Sequence, residues 1–136
     1  MTVIKWREGY NTGVAQFDRE HHKIVELIDV MFTAIRDQSG KEVTENACSE
    51  ILAYTEYHFD NEEQAMQTVN FPDLAEHVAE HVRLKTEALR FQGLINTNFP
   101  EGTSEFYRFL RDWLINHIQD CDKKYGPYLQ NTGKTA

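Results

Sequence analysis

The 136-residue chain has only two cysteines, Cys48 and Cys121, and neither lies in a CxxC pair. A reducing, cytoplasmic setting is therefore expected, although counting alone leaves one bridge between them open. Basic residues are also scarce. Fourteen Lys and Arg stand against 22 Asp and Glu, a formal net charge of −8. That balance disfavours nucleic acid and anionic membrane as partners, since both need a basic patch to displace counterions or be attracted. No apolar run approaches the length of a membrane span. The opening "MTVIKWREGY" lacks the apolar core of a secretory signal.

What remains is an ordinary folded composition, 40% hydrophobic and 26% charged, in a chain long enough for one good core. Against that background the six histidines stand out: His21, His22, His58, His77, His81 and His117. They are spread along the chain rather than gathered at a terminus.

Hydrophobic periodicity predicts four helices. Gly9 and Gly13 argue against a helix in "WREGYNTGV", which reads as an irregular arm carrying Trp6, Tyr10 and Phe17 across the core. A first helix is expected from about Asp18, acting as N-cap, to Asp37, with His21, Ile24, Val25, Ile28, Phe32 and Ile35 inward. Ser39 and Glu42 suggest a capping box for a second helix over about Lys41–Val69, whose stripe is Ala47, Ile51, Tyr54, His58, Glu62, Met66 or Ala65, and Val69. Pro72 stops it. A third helix is expected over about Asp73–Gly93, with Leu74, His77, His81, Leu84, Ala88 and Phe91 inward. "NTNFPEGTS" reads as a loop. A fourth helix over about Ser104–Cys121 turns Phe106, Leu110, Trp113, His117 and Cys121 inward, and the tail is expected to leave it at Gly126–Pro127 and fray.

Four helices with short joins make an all-α, up-down-up-down antiparallel bundle. The start of the first helix, the end of the second, the start of the third and the end of the fourth then share one level. His21, His58, Glu62, His77, His81, His117 and Asp122 should meet there. The pairs His58/Glu62 and His77/His81 are four apart, so each stacks on one face. His117 and Asp122 are five apart, which requires the helix to tighten, widen or end between them.

A lone inward histidine is usually a hydrogen-bonded core residue. Seven such groups buried together without a cation would form a strongly destabilised pocket. Five imidazoles and two carboxylates exceed the needs of one ion and suit two six-coordinate ions. If both carboxylates and one solvent oxygen bridge, one position stays open for a small exogenous ligand. Imidazole with carboxylate favours non-haem iron. A ferritin-type site needs paired E-x-x-H motifs, and none lies at this level. His22 is read as exposed or as a support to the ligands, and Glu63 as a solvated surface charge. Cys48 and Cys121 are read as packing. Phe59, Trp113, Leu114, Ile118, Ile24, Ile28 and Met66 should wall the site. Tyr54 and Tyr57 are weak candidates for donors to the ligands.

The strings "VAQFDREHH", "HFDNEEQAM", "HVAEH" and "WLINHIQDCD", in this order and after the arm "KWREGYNTGV", resemble the bacterial, single-domain members of the hemerythrin family over about Trp6–Tyr125. The resemblance implies two non-haem iron ions with a bridging oxo or hydroxo group. His77, His81 and His117 would hold one ion and His21 and His58 the other, which is open, with Glu62 and Asp122 bridging. It further implies reversible binding of dioxygen, for transport or storage, and not enzymatic turnover. A sensor acting through a protein partner, or a di-iron enzyme handling peroxide or nitric oxide, are the competing functions. A single domain is expected over 1–136, with arm 1–17, bundle about 18–122 and tail 123–136, no fused catalytic or signalling domain, and a monomeric state suggested by the acidic surface.

Overall fold

In the computed structural model, residues 6–97 and 101–130 are described. A 3-10 turn at Glu8–Tyr10 precedes α1 (Ala15–Arg36), α2 (Lys41–Thr68), α3 (Leu74–Thr97) and α4 (Glu101–His117); a π-helical turn at Ile118–Asp122 then leads into α5 (Lys123–Gln130). α1 packs on α2 and α4, and α3 packs on α2 and α4, so the four long helices close a ring. The all-α four-helix bundle with an irregular N-terminal arm is therefore the observed fold. Among the described residues no helix is long and apolar enough to cross a membrane.

The helix ends differ from expectation for local reasons. α1 begins at Ala15, not at Asp18. The Asp18 carboxylate instead looks backward and accepts the backbone N–H groups of Thr12 (2.7 Å) and Gly13 (3.2 Å) and the Thr12 hydroxyl (2.8 Å). It ties the arm to the first helical turn. The Ser39–Glu42 capping box does not form. Gly40, at φ 102°, is the N-cap of α2 without a side-chain cap bond. α1 and α2 both stop in the same way, with a residue at φ 53° (Gln38, Asn70) and a backbone bond back across it, Ser39 N–H to the Ala34 carbonyl and Phe71 N–H to the Met66 carbonyl. This is the Schellman closure, which satisfies carbonyls left over at a helix end.

α3 runs on to Thr97 rather than ending at Gly93, and α4 starts at Glu101 rather than Ser104. Most of the expected loop is thus helix, and its centre, 98–100, lies outside the described residues. The two helices can meet so closely because residue 102 has no Cβ. One placed there would sit 2.8 Å from the carbonyl carbon and oxygen of Leu94.

The helix also continues through Gly126–Pro127 to Gln130, where an exit had been expected. Pro127 withholds one backbone donor. Packing overrides that cost. Tyr125 and Leu129, four apart, are fully buried in a small cluster with Val14, Phe17, Met66 and Phe71. That cluster seals one end of the bundle. The main core, from Ile24 and Ile28 through Ile51 and Leu84 to Leu110 and Leu114, fills the rest. The tail expected to fray, 131–136, lies outside the described residues.

Candidate metal centre

All seven sequence-predicted donors lie between the main core and the sealing cluster. His21, His58, Glu62, His77, His81, His117 and Asp122 are each no more than 4% exposed. The helical period explains six of them. His21 lies in the second turn of α1, His58 and Glu62 share one face late in α2, His77 and His81 share one face early in α3, and His117 ends α4. Asp122 is brought in by the π turn, whose i→i+5 bonding sets a residue five positions on over His117. The helix therefore widens there, the second of the three possibilities open from sequence.

The donors fall into two groups that share both carboxylates. One is His21, His58, Glu62 and Asp122; the other is His77, His81, His117, Glu62 and Asp122. Within each, the ligand atoms lie within 4.8 Å of one another. The two oxygens of each carboxylate face different groups. Glu62 Oε2 is 3.4 Å from His21 Nε2 and 3.1 Å from His58 Nε2, whereas Oε1 is 3.2 Å from His81 Nε2 and 3.7 Å from His77 Nε2. Asp122 Oδ2 is 2.9 Å from His21 Nε2, whereas Oδ1 is 2.9 Å from the Nε2 atoms of both His77 and His117.

These spacings are those of neighbouring ligands on one ion. Two donors at right angles, each bonded at about 2.1 Å, stand about 3 Å apart. None of the five Nε2 atoms is hydrogen-bonded, nor are Glu62 Oε1 or either Asp122 oxygen. Buried polar atoms left this way are costly unless a cation joins them. The donor set fits a pair of metal ions, and its make-up, imidazole with carboxylate, fits iron.

A family model for the hemerythrin HHE cation binding domain matches residues 12–129. The chain belongs to the hemerythrin family. Among its relatives, the bacteriohemerythrin of Methylococcus capsulatus (strain Bath) is 32% identical over 134 residues, covering 95% of this chain and 98% of that one. The bacteriohemerythrin of Stenotrophomonas maltophilia is 29% identical, covering 96% of this chain and 84% of that one. A solved wild-type hemerythrin is 29% identical and superimposes with a TM-score of 0.86, over 94% of this chain and 98% of that chain.

In this hemerythrin the electrostatics follow from burial opposed by charge. Burial works against a charged His58, but the Glu62 carboxylate and the bond to Glu20 outweigh it and hold its pKa up at about 10. His77, between Asp122 and Glu62, is held at about 9 despite burial. Burial likewise opposes charge on His21 and His117, and the same two carboxylates raise both. For Glu62 burial favours the neutral acid, yet the surrounding imidazoles hold it well below the usual carboxylate range. Asp122 is lowered in the same way, against its burial and the charge of Glu62. Without metal the cluster holds protons, so ion binding must displace them.

Three residues around the donors were missed in the sequence. Glu20 Oε1 takes the Nδ1 side of His58 at 2.5 Å. Glu63 Oε2 takes that of His81 at 2.8 Å; it is half-buried, not the solvated charge expected from its place off the stripe. The Tyr125 hydroxyl donates to Glu62 Oε2 at 2.5 Å. Glu20 had one readable signal, the antiparallel level it shares with His58 beside His21. Tyr125 had none, because the helix was expected to end beside it.

The bland readings divide. His22 is exposed and packs on Trp6, with ring centroids 4.2 Å apart. Tyr57 is exposed. Both cysteines are free; Cys48 is fully buried, and burial raises its pKa to about 12, whereas Cys121 is only half-buried. The wall is aromatic: Phe59 stacks on His81 at 3.7 Å with planes 5° apart and meets Trp113 edge-on at 5.8 Å.

Proposed function

We propose that this chain binds dioxygen reversibly at a di-iron centre, for transport or storage, with His21, His58, Glu62, His77, His81, His117 and Asp122 as the iron ligands. One observation carries the reading: each carboxylate divides its two oxygens between a group of two imidazoles and a group of three. Glu62 and Asp122 would be shared by both ions, and the two-imidazole position is one protein donor short of the other. A ferrous pair held by these residues would supply the electrons for reversible uptake of dioxygen.

The chain's own residues do the rest. Tyr125 fixes the bridging Glu62, and Glu20 and Glu63 fix the rings of His58 and His81. Phe59, Trp113 and Ile118, all buried, keep water from the donors. An apolar cleft of about 70 Å³ reaches Phe59 and Trp113 through Ile51, Leu84 and Ala88, and it suits a small uncharged ligand better than an ionic substrate. Among the described residues the further carboxylates that touch the donors, Glu20 and Glu63, bond to Nδ1 of His58 and His81, on the side of each ring away from Nε2, which supports binding rather than turnover. The same reading has residues 1–136 working as one monomeric domain in the cytoplasm, supported by the free thiols and the net charge of −8.

Anaerobic reconstitution with ferrous iron followed by air tests this. Two irons per chain and a visible charge-transfer band that vanishes when oxygen is removed are expected. One iron per chain would break the bridging assignment, and irreversible bleaching would replace carriage with redox turnover.

A further inference from the structure

Glu20 precedes His21 on α1 but serves the other helix. Its Oε1 lies 2.5 Å from His58 Nδ1, while its Oε2 accepts from Gln16 Nε2, one turn back in α1, and from Asn61 Nδ2 on α2, both at 3.0 Å. Glu20 is 6% exposed, and both of its oxygens have partners. With a carboxylate at Nδ1, that nitrogen keeps its proton when an ion displaces the one on Nε2, which lies 3.1 Å from Glu62 Oε2. Gln16 and Asn61 keep the carboxylate from turning away. The ring of His58 is thus set in orientation before any ion arrives, and in tautomer once Nε2 gives up its proton.

The other imidazole of the same group has no such support. Among the described residues neither nitrogen of His21 is hydrogen-bonded, and its ring is held by packing against His58 (centroids 4.6 Å apart) and Trp6 (6.3 Å). The three-imidazole group is less exposed to a single loss. His81 has Glu63, and His77 and His117 remain whatever happens to it. The poorer donor set therefore depends on one oriented ring, and that ring depends on Glu20.

We propose that Glu20 is the positioning residue that retains the ion at the two-imidazole position, so that its loss converts a two-iron protein into a one-iron protein. The proposal rests on the di-iron reading above. Partners that orient a ligand histidine contribute about 10–100-fold in metal affinity. A general loosening of the fold would act on both ions, whereas this acts on one.

The test is metal content and release, not oxygen binding. Wild type, Glu20→Ala, Glu20→Gln and Glu63→Ala are reconstituted anaerobically with ferrous iron and gel-filtered. Iron per chain is measured, and release to a chelator is followed with time. Glu20→Ala is expected to keep one iron, or to release one at least tenfold faster than the other. Glu20→Gln, which still offers an oxygen to Nδ1, should fall between it and wild type, and Glu63→Ala should keep both ions longer than Glu20→Ala does. Equal release of both ions from Glu20→Ala at the wild-type rate, with only a lower unfolding midpoint, would make Glu20 a clamp between α1 and α2 and overturn the proposal. If Glu20→Ala does not fold, Glu20→Gln decides, and wild-type release of both its ions overturns the proposal. Fewer than two irons in wild type would instead sink the di-iron reading itself and this proposal with it.

Discussion

Tyr125 donates its hydroxyl to Glu62 Oε2 across 2.5 Å, joining α5 to the carboxylate shared by both donor groups. Both side chains are fully buried. Burial and the charges of Glu62 and Asp122 hold the Tyr125 phenol well above its ordinary pKa, so it stays a donor at any ordinary pH. The same ring packs edge-on to Phe17, at 5.4 Å, in the cluster that seals this end of the bundle. One residue thus couples closure of the bundle to the placement of the carboxylate that both donor groups share.

Tyr125→Phe should separate those two roles. The ring and its packing stay, and only the hydrogen bond is lost. A bond to a charged acceptor contributes about 1.5–3 kcal/mol. The metal-free protein should lose stability in that range, read from denaturant unfolding, with an unchanged helical circular-dichroism spectrum. A wild-type midpoint would show that Glu62 needs no such partner.

Stability of the metal-free protein should depend on pH in a way the iron-loaded protein does not share. His58 and His77, held at about 10 and 9, lie above their ordinary value of 6.5. Raised groups stabilise the fold fully below the unfolded value and lose that contribution as pH climbs through the folded one. Glu62 and Asp122 are lowered from 4.5 and 3.8, so their contribution is present above those values and lost on acidification. The metal-free midpoint should peak between about pH 4.5 and 6.5 and fall towards about pH 10. Bound iron requires the imidazoles already deprotonated, so the alkaline fall should disappear on loading. Thermal melts of stripped and loaded protein across this range check both arms; parallel curves would refute the prediction.

The closeness of α3 and α4 gives a prediction away from the site. A methyl group at residue 102 would lie 2.8 Å from two backbone atoms of Leu94, and backbone cannot rotate aside as a side chain can. Gly102→Ala should therefore force the two helix ends apart. Overpacking of this kind costs about 1–3 kcal/mol. The unfolding midpoint should fall while iron content stays at the wild-type level, because the donors sit at the other end of the bundle.

The donors were legible because helical period and antiparallel order fix both face and level. His58/Glu62 and His77/His81 are four apart, and an inward stripe that carries them can place them in only one way. The five-residue step from His117 to Asp122 announced an irregularity without giving its form; the π turn is the form that keeps the helix going. Glu20 and Glu63 escaped because contacts between helices depend on which flank faces which neighbour, and no period within one helix carries that. α5 escaped because Pro127 is a sound local reason to stop, and the contrary reason, burial of Tyr125 and Leu129 against Val14, Phe17, Met66 and Phe71, lies in four other parts of the chain. Asp18 was read as a cap on the helix ahead of it, yet it holds the arm behind it.

Asp122→Asn tests the bridge most directly. The aspartate offers one oxygen to each group, Oδ2 beside His21 and Oδ1 beside His77 and His117. An amide keeps the shape but replaces one oxygen with an NH₂ that cannot ligate, and it removes the negative charge. Whichever way the amide turns, one group loses a donor. Because the two-imidazole group has fewer donors at the outset, the variant should settle with its oxygen there or lose that ion. Iron per chain should drop from two towards one after gel filtration, with the helical spectrum retained. Glu62→Gln should do the same with a larger loss of stability, since Tyr125 then faces a neutral acceptor. Two irons held by both variants would mean that neither carboxylate bridges.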